Sequence, residues 1–176
     1  MKEQTSVRRA ERQRAKRATL VSACLVGVTC AWDASKANRN EQVLNLQEEC
    51  LVPVCPEQLG GLRTPRPRQE MVGGKGVDVL EGRARVKNSE DVDVTRQFLR
   101  GAHETLRIAR LLNAGRFVGK ARSPSCGCGE VYDGSFSGKV TGGDGVTTAL
   151  LRRNGVEVLT EENLEQVRHR ESRYQR

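Results

Sequence analysis

TLVSACLVGVTC, residues 19–30, holds a short apolar run that stops at a cysteine, and the same shape returns twice further along the chain. Thr19–Ala23 reads as a buried strand ending at Cys24. LVPVCPEQLGGLRTPRP, residues 51–67, gives a second strand over Leu51–Val54, stopped by Cys55 and Pro56. RFVGKARSPSC, residues 116–126, gives a third over Arg116–Ala121, with Cys126 a few residues beyond it. Helical signals lie between them. Residues 37–49 read as a short helix on Val43, Leu44 and Leu46. A longer helix runs from Asp93 to about Asn113, with Phe98, Ala102, Leu106, Ala109 and Leu112 on one face, Asp93 as cap and Gly115 as stop. Val146–Arg153 and residues 161–170 read as helices around a last strand, Val156–Leu159. Strands alternating with helices indicate an α/β fold: a single Rossmann-like domain with a mostly parallel sheet flanked by helices. Gly60–Gly82, dense in glycine and proline, reads as a long shaped loop, and residues 123–139 as a polar glycine-rich one.

The chain has 176 residues, enough for one domain with a core of its own. No apolar run reaches the ~18–20 residues of a membrane span, and aromatics at 3% are too few for broad base-stacking surfaces. The formal charge of +8 sits in the ends. Residues 1–18 carry Lys2, Arg8, Arg9, Arg12, Arg14, Lys16 and Arg17 against Glu3 and Glu11. Residues 168–176 carry Arg168, Arg170, Arg173 and Arg176 against Glu171, so the domain expected over 19–167 is formally balanced. Such basic tails attract RNA or another polyanion in a salt-dependent way, or are solvated ends without a partner. VSAC at 21–24 resembles a lipoprotein cleavage site, but the apolar stretch that must precede the cysteine is missing. A cytoplasmic protein is expected, where cysteines serve metals or catalysis more often than disulfides.

In an open parallel sheet, ligands collect beyond the carboxyl ends of the strands. Cys24, Cys55 and Cys126 each lie just past such an end. If their strands are neighbours, three loops bring three thiols to one crevice, and thiolates suit iron–sulfur clusters or zinc. Spacing alone leaves three options open: a cluster, a zinc site or reduced structural cysteines. Zinc would favour close pairs, and Cys126–Gly127–Cys128 is the tightest pair here.

The flanking residues add a resemblance. VSACLVGVTC at 21–30, VPVCPEQLGGLRTPRP at 52–67, KARSPSCGCGEVYDGSFSGK at 120–139 and GDGVTTALLRRNGVEV at 143–158 are together similar to the DUF523 family, in order, over about residues 19–160. The family includes a thiouracil desulfurase. The resemblance implies a [4Fe–4S] cluster held by Cys24, Cys55 and Cys126, with a fourth iron open to the sulfur of a thiolated uracil, nucleoside or RNA base. It also implies proton handling by Glu57, two residues beyond Cys55, and a hydroxyl contact from Ser123, with Ser125 as substitute. Cys30, Cys50 and Cys128 are left as bystander thiols. The chain departs from the family after Cys30, where Ala31–Trp32–Asp33–Ala34 replaces a basic residue, a tyrosine, an acid and a glycine. Trp32 remains available as an aromatic platform for a base.

Two rival functions stand beside the desulfurase: a non-catalytic metal-binding module with RNA-binding tails, and a cluster carrier without a thiolated substrate. His103 and His169 make no Cys–His or Ser–His–Asp site. GGKG at 73–76 lacks the strand–loop–helix setting of a phosphate loop. Arg63, Arg66 and Arg68 flank the second cysteine loop, where they either meet an anionic substrate or serve only solubility.

Overall fold

The computed structural model describes residues 18–36, 38–46 and 50–164. Four parallel strands form the central sheet: β1 (Ala18–Ser22), β2 (Cys50–Val54), β5 (Arg116–Gly119) and β8 (Glu157–Thr160), in the order β2-β1-β5-β8. Side chains alternate across it, as the pleat requires. Leu20, Phe117 and Val158 enter one core, while Val21, Val118 and Leu159 enter the other. Both faces are covered, which explains why these strands read as continuous apolar runs.

Five α-helices lie among the described residues: α1 (Glu41–Leu44), α2 (Pro56–Leu59), α3 (Gly76–Leu80), α4 (Thr95–Leu111) and α5 (Val146–Arg153). The long helix packs Phe98, Ala102, Leu106 and Ala109 into the larger core, as its periodicity predicts, and Asp93 accepts the amide of Thr95 at its start. Val43 of α1 fills the smaller core on the other face. The helix expected over 37–49 has one turn, Glu41–Leu44, among its described residues. Most of the helix expected over 161–170 lies outside them, as do nearly all the residues of the basic tails.

Two expected loops hold structure. Within and just beyond Gly60–Gly82, β3 (Gln69–Val72) pairs antiparallel with β4 (Arg85–Asn88), and α3 connects them. Met71 and Val86 face each other in this pair and are buried. Within and just beyond 123–139, β6 (Glu130–Tyr132) pairs with β7 (Val140–Gly142). Four- and three-residue strands are too short for alternation to outweigh the surrounding glycines.

The strand order decides where the site lies. The chain leaves β1 toward β2 on one side and returns to β5 on the other. The loops after β1 and β5 therefore part, and a crevice opens at their carboxyl ends.

Candidate cluster site

Each of the three segments is locked by its own local chemistry. After β1 the chain makes a 3-10 turn, Ala23–Val26, which Gly27 closes with positive φ. Cys24 lies in that turn, half-buried, and the chain then returns through Cys30 to Trp32. After β2, Cys55 caps α2, whose first residue Pro56 is preset for a helix and loses no needed donor. After β5, the Ser123 side chain accepts the amides of Ser125 at 3.2 Å and Cys126 at 3.0 Å, folding the SPSC segment into a tight turn. Thr148 of α5 donates to the Cys126 carbonyl at 3.0 Å. That carbonyl lies so close to the strand end that a Cβ on Gly119 would stand 2.1 Å from it, so only glycine fits there.

These turns enclose a cavity of about 400 Å³ lined by Cys24, Cys55 and Cys126 together with Glu57 and Ser123. The five residues singled out in the sequence thus meet in one place. Cys126 is 5% exposed, and burial is the main cause that pushes its thiol up to about 12; the negative charge of Glu57 acts in the same direction. The thiol of Cys55 is raised chiefly by its hydrogen bond with Cys30, then by burial, and again by Glu57. Such thiols stay protonated until a metal displaces the proton.

Cys30 belongs to this group, although it reads from the sequence as a bystander. It is buried, hydrogen-bonds the thiols of Cys24 and Cys55, and is itself pushed up to about 11, first by Cys24. The Cys55 thiol also donates to its carbonyl at 3.8 Å. Cys50 is exposed at the start of β2, away from the cavity lining. Cys128 also lies outside that lining, held by Arg152 and the carbonyl of Val158.

Three further residues at the cavity have roles that the sequence did not give. Arg66 lines the cavity but is engaged by the protein itself. Its side chain is 4% exposed and forms an ion pair with Glu57. Glu70 is buried, and its Oε2 accepts the amides of Gly134 at 3.1 Å and Phe136 at 3.0 Å, which ties the tip of the β6–β7 hairpin to β3. Tyr132 of that hairpin lines the cavity, and opposite charges in sequence offer no clue to either contact. Trp32, 47% exposed, forms part of the wall, and Arg68 lies over its ring at 5.8 Å from the centroid.

Among the described residues no three His, Cys, Asp or Glu side chains converge as the ligands of a single metal ion do. A cubane cluster poses a different requirement. Each thiolate binds a different iron, so its ligands surround a body of several atoms and do not meet at one point. Three thiols on three adjacent loops around one cavity fit that requirement.

Comparison with known proteins places the chain in a family. Residues 19–163 match the model of the 2-thiouracil desulfurase family. A Bacillus subtilis protein, the uncharacterized YbbK, is 43% identical over 148 residues, which cover 84% of this chain and 98% of the relative. A solved structure, the [4Fe–4S]-dependent thiouracil desulfidase TudS, superposes with a TM-score of 0.76 at 34% identity, covering 89% of this chain and 99% of the other.

Proposed function

The chain belongs to the 2-thiouracil desulfurase family and is a desulfurase-type enzyme, and from that premise we propose that it replaces the sulfur of a thiolated uracil or its nucleoside by oxygen, with a [4Fe–4S] cluster on Cys24, Cys55 and Cys126. The observation that carries the reading is the convergence of these cysteines with Glu57 on one cavity at the switch point of the sheet. When bound, the cluster supplies Lewis acidity at an iron without a protein ligand, which polarises a thiocarbonyl.

The protein's own groups do the rest. Glu57 stands at the cavity wall with one carboxylate oxygen engaged by Arg66, and the other accepts the proton of the attacking water. The Ser123 oxygen is occupied by two amides, so its O–H is left to donate to the substrate. The exposed face of Trp32 offers a stacking surface for the pyrimidine ring. Water and a thiocarbonyl give a carbonyl and hydrogen sulfide, so the exchange is hydrolytic and needs no reductant.

Anaerobic reconstitution tests the proposal. A brown protein with about four irons and four sulfides per chain is expected, together with loss of the thiocarbonyl absorbance of 2-thiouracil or 4-thiouridine. Colourless protein with stoichiometric zinc would refute the cofactor. An intact cluster without turnover on any thiolated base would favour the cluster carrier.

A further inference from the structure

Arg66 makes more contacts within this site than any sequence pattern suggests. Its Nε donates to Glu57 Oε2 at 2.7 Å, and its Nη2 pairs with the same oxygen. Its Nη1 reaches the carbonyl of Cys30 at 3.1 Å, the carbonyl of Arg63 at 3.3 Å and the hydroxyl of Thr64 at 3.0 Å. Its backbone amide donates to the carbonyl of Trp32 at 2.8 Å. One residue therefore joins the loop after β1, which carries Cys30 and Trp32, to the start of α2, which carries Glu57. Both guanidinium contacts fall on Oε2, among the described residues no protein donor takes Oε1, and Glu57 lines the cavity.

We propose that Arg66 is the positioning residue of the site, acting through Glu57: its planar fork fixes one carboxylate oxygen and so aims the other at the substrate water. The proposal rests on the desulfurase reading and adds a named dependence to it. A guanidinium suits the task because its donors diverge in one plane, one edge to the carboxylate and one to the carbonyls. A lysine at this place keeps the charge but delivers it as a single point, so the carboxylate can rotate.

Two measurements decide it. In cluster-free, nitrogen-15-labelled protein, the Arg66 Nε–H should give a sharp, slowly exchanging signal. It would be identified by its absence in Arg66→Lys and should be displaced in Glu57→Gln. No cluster or turnover is needed for this arm, and the lack of any protected arginine Nε–H would overturn the pair. In reconstituted enzyme, Arg66→Lys should lower kcat about 100-fold with KM within about threefold, as a misplacement on the order of 1 Å does. Glu57→Gln should lose a comparable amount, and the double variant should fall no more than about threefold below Glu57→Gln alone. Losses that multiply would mean Arg66 acts independently of Glu57 and would overturn the proposal. So would a raised KM with kcat intact, or an Arg66→Lys protein that loses its iron while Glu57→Gln keeps it. Wild-type protein with a full cluster and no turnover would instead refute the desulfurase reading, while the resonance experiment would still report on the pair.

Discussion

Replacing Gly101 by alanine sets two effects of opposite sign against each other. In the middle of α4, alanine is the better helix former by about 1 kcal/mol. At this position, however, a Cβ would stand 1.9 Å from the carbonyl oxygen of Pro56 and 2.7 Å from its carbon, both backbone atoms of α2. Gly60 reports the same interface from the other side, since its Cβ would lie 2.0 Å from the carbonyl oxygen of Gln97. To reach ordinary contact at 3.4 Å, the two helices must part by about 1.5 Å. Overpacking of this kind costs about 1–3 kcal/mol, and a rigid backbone target places it at the upper end. We expect a net loss of about 2 kcal/mol, or a Tm lower by about 4–8 °C for a chain of this size. Urea unfolding of the cluster-free protein measures it, with Gly115→Ala, whose Cβ would meet nothing within 4 Å, as the control. Because Cys55 caps α2 and the helix carries Glu57, bound iron should fall as well. A rise in stability would refute the reasoning, because propensity would then be acting without any clash.

Serine at Cys24, Cys55 or Cys126 should abolish iron and sulfide binding, whereas serine at Cys50 or Cys128 should leave both at the wild-type level in the same assay. The Cys126 thiol is held at about 12 when folded, against about 8.5 when unfolded, so the stability of cluster-free protein is fully present below pH about 8.5. It should then decline as pH rises toward 12, by up to about 1.4 kcal/mol per pH unit from that thiol. Chemical unfolding at a series of pH values measures this slope, and Cys126→Ala should make it shallower by one thiol's share, the raised thiols of Cys30 and Cys55 keeping the rest. Ser123→Ala strips the acceptor from two amides of the cysteine turn and should cost about 1–3 kcal/mol; an unchanged denaturation midpoint would contradict that role.

What was legible in the sequence follows from the size of each signal. The inner strands β1 and β5 are buried on both faces, so each appears as an apolar run that composition alone marks. The long helix repeats its apolar face often enough to stand out, and the cysteines after the strands follow from topology. The short ribbons were hidden because three or four residues cannot establish an alternation. Cys30 was hidden because the loop after β1 turns back on itself, and nothing in the spacing from Cys24 announces that return. The Arg66–Glu57 pair spans a loop whose path is set by contacts with Trp32 and Cys30, which no local pattern encodes. Sequence left Arg66 beside the cysteine loop as either an anion contact or a solubilising cation, and the structure pairs it with Glu57 instead.

The three cysteines come from loops after β1, β2 and β5, roughly thirty and seventy residues apart along the chain. Unlike a metal knuckle built from neighbouring residues, the ligand set proposed above would not exist in any partly made chain. It comes together only after both crossovers have been laid down and β5 has slotted beside β1. On that proposal iron capture would be a late event that senses completed topology, and the captured cluster would clasp two long loops whose opening entropy it removes. Losing the cluster to oxygen should then lower the unfolding free energy of the fold as well as silence the chemistry.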